Sequence, residues 1–386
     1  MITKAKAIED FLVSTRRHLH QYPELSHQEW ETAKFIEGEL QKLGITPKRI
    51  ADTGVIAEIG EGKLTVALRA DTDALPIQDE KSVSYASRHP GVMHACGHDA
   101  HTAILLGVAR LLTEEKLPGK IRFIFQPAEE SGGKEGIGGA EKIVKAGGMK
   151  GVQAIFGLHI NSKLELGVVN IVEGPFTATS SEWEIKIKGK GAHGAYPHEG
   201  KDPIYLSALE IMALQGIISR FKDPMEPAVI TVGEIKGGSK SNIIPKEVIL
   251  KGTIRSLTEE GLEFLREEIQ NTLKMLEPLG GVGIFSSEPG YPPTVNDAKL
   301  TELVKEVAIG VVGKEKILSK LFGLGAEDFG MLARECKGAF FSLGAKPDGT
   351  SPPPPHHSPY FDINEKALPI GVAILSSVAM KALEVL

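Results

Sequence analysis

Residues 121–130 read Ile-Arg-Phe-Ile-Phe-Gln-Pro-Ala-Glu-Glu: an apolar, β-rich run that halts at a proline and delivers two adjacent acids. The pattern recurs on both sides. Residues 64–68 run into Arg69-Ala-Asp71-Thr-Asp73, and residues 152–158 run into His159. Residues 55–59 form another such run. Helical patterns lie around them at 5–19, 27–43 (closed by Gly44), 100–112 and 138–146. Continuous apolar strands alternating with helices predict an α/β unit whose sheet is largely parallel and covered on both faces. In open sheets of this kind, sites assemble at the carboxyl ends of the strands. Three separate segments are therefore expected to carry acids and an imidazole to one sheet edge.

Near Gly174-Pro175 the character changes. Trp183, Ile185 and Ile187 alternate with charged residues, the mark of a half-buried strand. A helix (203–221), two strands (228–235 and 247–255), a helix (258–276) and a strand (282–287) follow. The order βαββαβ is that of a ferredoxin-like α+β sandwich. After Gly290-Tyr-Pro-Pro293 the α/β character resumes, with a helix at 297–312, a strand near 339–343 and a last helix at 365–386. The expected organisation is a discontinuous domain of residues 1–174 and 291–386, interrupted by an inserted domain of residues 175–290.

The 386 residues are 41% hydrophobic and 24% charged, with a net charge of −6, values usual for soluble globular chains. No basic cluster suggests a nucleic-acid partner. Two cysteines, Cys96 and Cys336, make no disulfide framework and fit a reducing compartment. The first residues form an amphipathic pattern without the apolar core of a signal peptide. The apolar stretch 367–380 contains Pro369 and falls short of the roughly 20 residues of a membrane span. It reads as a buried helix. These features predict a cytoplasmic protein with no membrane partner.

A further cluster, His94-Ala-Cys96-Gly-His98-Asp-Ala-His101, stands before the 100–112 helix, and His356-His357 follows a run of four prolines. A thiolate and an imidazole two residues apart can face one ion, and the helix N-terminus is expected to favour the thiolate. Sulfur and nitrogen donors with one carboxylate suit Zn, Mn, Co or Ni better than Mg or Ca. Cys96, His98, Glu130, His159 and His357 make five donors, more than the roughly three of a mononuclear catalytic zinc site. Two divalent ions per chain follow, with Cys96 as bridge if each ion is to have three protein donors. Of Glu129 and Glu130, one can bind metal while the other acts as general base on the activated water. The residue types alone do not say which does which. In the inserted domain, His193 and Asn242 can donate to a developing oxyanion, and Arg255 can grip a carboxylate with two prongs.

With these residues in view, the chain resembles the M20 metallopeptidase family, in particular its aminoacylase/carboxypeptidase-like amidohydrolase branch. The motifs that carry the likeness are His18-Leu-His-Gln-Tyr-Pro-Glu24, Arg69-Ala-Asp-Thr-Asp-Ala-Leu-Pro76, Met93-His-Ala-Cys-Gly-His-Asp-Ala-His101, Gln126-Pro-Ala-Glu-Glu130, Gly157-Leu-His159, Gly191-Ala-His-Gly194, Ser241-Asn-Ile-Ile-Pro245 and Gly252-Thr-Ile-Arg255. The resemblance implies that Cys96 bridges two ions, with His98 and His159 on one and Glu130 and His357 on the other. It implies Glu129 as the base, and Asn242 and Arg255 as substrate contacts. It also implies that the inserted domain forms a homodimer edge strand to edge strand, with His193 serving its own or the partner's active site. Asp71 is expected to stand behind the ligands, and His356 occupies a place where the branch more often has an apolar residue. The loop 131–137, longer than usual in the branch, is expected to shape the substrate pocket.

The function expected is hydrolysis of the amide bond of an N-acyl amino acid. A carboxypeptidase releasing single C-terminal residues from a short peptide uses the same chemistry. A non-catalytic dimeric binding protein would lack a ligand or the base, and none is missing. A zinc nucleobase deaminase needs a Pro-Cys-x-x-Cys element, which the chain does not have. Taken singly, Cys96 would read as an inert buried thiol, Glu129-Glu130 as a solvated loop, and His18 and His20 as surface or packing residues. Convergence in space is what separates the two views.

Overall fold

A computed structural model describes residues 1–133 and 136–386. The chain opens with α1 (Ile2–Ala7), α2 (Glu9–Gln21) and α3 (Trp30–Lys42), then β1 (Lys48–Ile50), β2 (Gly54–Ile59) and β3 (Thr65–Asp71). Helix α4 (His98–Leu112), β4 (Lys120–Gln126), α5 (Gly139–Lys145), β5 (Ala154–Asn161), β6 (Val169–Asn170) and β7 (Gly174–Pro175) complete the first pass. The inserted unit holds β8 (Ser181–Lys188), β9 (Ala192–His193), α6 (Pro203–Gly216), β10 (Ala228–Gly237), β11 (Ile243–Ile244), β12 (Glu247–Ser256), α7 (Glu259–Lys274) and β13 (Val282–Ser287). The chain returns through β14 (Val295–Asn296), α8 (Ala298–Val312), β15 (Ile317–Leu318), α9 (Phe329–Ala333), β16 (Lys337–Gly344) and α10 (Ala367–Val385).

Two compact units result: Met1–Phe176 with Val295–Leu321 and Asp328–Leu386, and Thr177–Thr294 with Phe322–Glu327. The first is built on an eight-stranded sheet in the order β1-β2-β4-β3-β5-β16-β6-β15. Its centre, β4-β3-β5-β16, is parallel. The run at 55–59 departs from that rule: β2 pairs antiparallel with β1 and with β4. Residues 51–53 alone join β1 to β2, and so short a link permits only the antiparallel arrangement of that pair. The central strands β3 and β4 are largely buried because helices cover both faces. Helix α4 is buried at every position but Arg110. It packs against α10, whose apolar length lies within the core, as its composition predicts.

The inserted unit is a four-stranded antiparallel sheet, β10-β12-β8-β13, with α6 and α7 packed on it. Alternation along β8 buries Trp183, Ile185 and Ile187. Thr258 caps α7 by accepting from the Gly261 N–H, and Asp202 caps α6 by accepting from the Ile204 N–H. The helix expected to run to 221 is α-helical only to Gly216 and ends in a π-turn, Ile217–Phe221.

Candidate metal centre

Five donors converge at the carboxyl end of the parallel strands. His159 lies inside β5 near its end, not after it, because the ladder with β16 continues to Asn161. Glu130 lies four residues past the end of β4, and Cys96 and His98 flank the N-cap of α4. That N-cap is Gly97, at φ +94°, a left-handed conformation that glycine adopts without steric cost. His357 sits in the segment before α10. Its own φ is +64°, unusual for a residue with a side chain. The turn at His357 sends the two consecutive imidazoles to different partners. His357 Nε2 is 3.4 Å from Glu130 Oε1, while His356 Nδ1 is 3.8 Å from Cys96 Sγ.

The donors fall into two clusters. The ligating atoms of Cys96, His98 and His159 lie within 4.8 Å of one another, and so do those of Cys96, Glu130 and His357. Cys96 belongs to both. Cys96 Sγ and His159 Nε2 are 3.5 Å apart, and His98 Nε2 and Glu130 Oε1 are 3.8 Å apart. The ring protons are fixed from behind. His159 Nδ1 meets the Ile160 carbonyl at 2.7 Å, and His98 Nδ1 meets the Asp73 carbonyl at 2.9 Å. A carbonyl only accepts, so Nδ1 carries the hydrogen in each ring and Nε2 is the atom left to face the centre, open to an ion once any proton on it has left. Among the described residues, buried His98 Nε2 and Glu130 Oε1 have no hydrogen-bond partner. A cation, taking the place of any proton on His98, would satisfy both of these orphaned atoms, so the residues present fit a metal pair.

Electrostatics give the same answer. Burial opposes a charge on His98, yet Asp71, Asp73 and Glu130 raise its pKa to about 10. Cys96 departs from the expectation set by its place at a helix N-terminus. Burial, then the charges of Glu130, Glu129 and Asp71, push its thiol well above the usual range. The protein alone disfavours a thiolate here; cations between these groups would reverse the balance.

Other residues hold the donors in place. Asp73 accepts from the Glu130 N–H through Oδ2 (3.0 Å), lies 3.2 Å from His98 Nδ1 through Oδ1, and accepts from Ser26. Burial works against this carboxylate, but His98, Ser26 and the Glu130 N–H hold its pKa down. Glu29, fully buried, accepts from the Ala128 N–H (2.8 Å), the His27 N–H and the Thr53 hydroxyl. It thereby pins the left-handed Ala128 (φ +49°) just before Glu129. Beneath lies Arg69, paired with Asp71 (2.7 Å) and Asp328 (3.0 Å) and donating to Gln126. Both nitrogens of His101 are committed, Nδ1 to Asp71 (2.5 Å) and Nε2 to the Ile160 N–H (2.8 Å), so His101 offers no lone pair to an ion. Glu129 is buried, with a carboxylate oxygen within 4.8 Å of the donor atoms of His98 and Glu130.

Residues 67–381 match the profile described as Peptidase family M20/M25/M40. The chain belongs to this family. It is 40% identical over 391 residues to IAA-amino acid hydrolase ILR1-like 4 of Arabidopsis thaliana, across 99% of this chain and 88% of that one. It is 38% identical over 387 residues to Thermostable carboxypeptidase 1 of Saccharolobus solfataricus, across 97% and 96%. Among solved structures, the Bacillus subtilis YXEP protein, described as a dinuclear metal binding peptidase from the M20 family, superposes with a TM-score of 0.86. Identity there is 34%, and the match covers 99% of this chain and 100% of that one. This M20 chain is accordingly a metal-dependent hydrolase of amide bonds.

The remaining sequence-derived residues of the M20 chain lie in its inserted unit. His193, on β9, stands in register with Ile243 of β11, and the Gly194 N–H donates to the Asn242 carbonyl (2.8 Å). His193 and Asn242 line one surface cleft of about 890 Å³. His193 Nδ1 accepts from the Ala195 N–H at 3.0 Å. Arg255 lies on β12 opposite Val229, and its Nη1 is buried without a hydrogen-bond partner among the described residues. The loop at 131–137 includes Lys134 and Glu135, which lie outside the described residues. Sequence reasoning missed the parts played by Glu29 and His20. A single acid before a helix carries no pattern, and His20 is fully buried, 2.7 Å from Asp99 through Nδ1.

Proposed function

We propose that this M20 hydrolase cleaves the amide bond of N-acyl amino acids with two divalent ions per chain, of Zn, Mn or Co and on occasion Ni. The observation that carries the reading is the pair of three-donor clusters sharing Cys96, where His98 Nε2 and Glu130 Oε1 are buried without a hydrogen bond among the described residues. In this assignment Cys96 would serve both ions, His98 and His159 would hold one, and Glu130 and His357 would hold the other. Bound ions would supply a water of lowered pKa and polarise the scissile carbonyl. Glu129 takes the proton from that water on its carboxylate oxygen and passes it to the leaving amine nitrogen. It is buried beside His98 and Glu130, within reach of the centre. His193 and Asn242 donate to the oxyanion, and Arg255 binds the substrate carboxylate. The name of the Arabidopsis relative, an amino-acid conjugate hydrolase, supports this substrate class.

A carboxypeptidase acting on short peptides is the second reading, favoured by the Saccharolobus relative. We further assign the protein to the cytoplasm, in keeping with two unpaired cysteines, and to a homodimer formed by the inserted unit. Tyr205, Leu209 and Met212 follow one face of α6 and are exposed, while Leu206 and Leu214 face its own core. A helix apolar on both faces calls for a second cover. The neighbouring β10 is an edge strand of ten residues, open to pairing with a copy of itself.

Glu129→Gln should retain both metals and lose roughly 10²–10⁴-fold in kcat on an N-acetyl amino acid. Near-normal turnover would refute the assignment of the base. Chelation should abolish activity, and Mn, Co or Zn should restore it. A panel of N-acetyl and N-benzoyl amino acids against dipeptides separates the two readings by kcat/KM.

A further inference from the structure

His356 is not needed as a ligand, yet it is built into the centre. Its Nε2 accepts from the Ser162 N–H at 3.4 Å. The Ser162 hydroxyl in turn donates to the Pro354 carbonyl at 3.2 Å, tying the proline run to the end of β5. The imidazole is packed between His159 (centroids 5.3 Å apart) and Phe361 (4.8 Å), which fixes its plane. A backbone N–H only donates, so Nε2 holds the lone pair and, in the neutral ring, Nδ1 holds the hydrogen. That Nδ1 is the atom 3.8 Å from Cys96 Sγ, within reach for a hydrogen bond to sulfur.

We propose that His356 is a positioning residue whose Nδ1–H donates to the Cys96 sulfur and sets how strongly that sulfur gives electron density to the metal pair. The proposal rests on the ligand assignment above. A bridging thiolate shares its lone pairs between two cations, and a hydrogen bond from outside withdraws density and lowers their energy. The same bond fixes the direction of the remaining lone pairs toward the centre. The left-handed backbone at His357 is what lets one dipeptide supply both a donor to sulfur and a ligand to metal.

The test uses the full chain loaded with cobalt(II). Wild type should bind two ions and show a thiolate-to-cobalt charge-transfer band that Cys96→Ser removes. In His356→Phe, which keeps the ring and loses the N–H, the band should move to longer wavelength with two cobalt ions still bound. His356→Asn, whose amide N–H can replace Nδ1–H, should return it toward the wild-type position. His356→Leu repeats the loss without the ring, and circular dichroism confirms that each variant is folded. An unmoved band in both His356→Phe and His356→Leu overturns the hydrogen bond. Loss of one cobalt in those variants overturns it also, because His356 would then be a ligand. Absence of the band in wild type, or its survival in Cys96→Ser, overturns the metal assignment itself.

Discussion

At the residue scale, the centre is a problem of aiming lone pairs. An imidazole binds metal only through a nitrogen without hydrogen, and what stands behind the ring chooses that nitrogen. Carbonyl oxygens behind His98 and His159 make the choice, whereas His101 has its two nitrogens spent on Asp71 and Ile160. His98 and His101, three residues apart on one helix, thus play unlike parts. Asp73 joins two of the donor segments, since it touches His98 and holds the Glu130 N–H. Asp73→Ala should therefore weaken metal retention about 10–100-fold, measured by competition with a fluorescent chelator. Unchanged affinity would mean that the backbone carbonyl of residue 73 suffices. The residue types of the donors were legible in the sequence. The partners that select their tautomers were not: the Asp73 carbonyl meets His98 from 25 residues away, and the turn of the His159 ring onto the Ile160 carbonyl follows no local pattern.

At the element scale, the strand ends and two turns do the placing. The turn after β4 passes through left-handed Ala128, held by Glu29 on one side and by Gly139 on the other. The Gly139 N–H donates to the Ala128 carbonyl, and a Cβ on Gly139 would stand 1.6 Å from the Pro127 oxygen. No side chain fits there without moving the turn. Gly139→Ala should displace Glu129 and Glu130 together, and metal content measured by elemental analysis should fall along with activity. In the inserted unit, α6 and α7 meet at Glu210, which accepts from the Thr272 hydroxyl at 2.8 Å. Burial raises the Glu210 pKa from 4.5 to about 7. Between those values the unfolded chain gives up a proton that the folded chain keeps, so stability falls as pH rises through this window. Below it the contribution is complete; above about pH 7 it is gone. Glu210→Gln should be more stable than wild type at pH 8, by at most roughly 3 kcal/mol, and the advantage should shrink at pH 5. Urea unfolding at the two values measures both.

At the scale of the whole molecule, a sheet from distant parts of the chain holds the donors, and the inserted unit leaves Tyr205, Leu209 and Met212 exposed on α6. Arg69, buried with Asp71 and Asp328, binds β3 to the segment at α9, more than 250 residues later. Removing one partner of such a buried pair costs about 3–5 kcal/mol. For the dimer, Met212→Glu or Leu209→Glu on α6 should yield monomers in sedimentation velocity while leaving metal content intact. A dimer that persists in both would move the interface elsewhere.

What the sequence determined by itself was composition of matter: apolar runs that must become covered strands, a break near Gly174-Pro175 that marks an insertion, and five donors of the right chemistry. Period and residue type carry that information locally. Only the tertiary structure decided that β2 runs against its neighbours, that His159 sits within its strand, and that His356 meets sulfur while His357 meets Glu130. Those outcomes depend on which distant groups are within about 4 Å, and distance in space is not a property of neighbours in the chain.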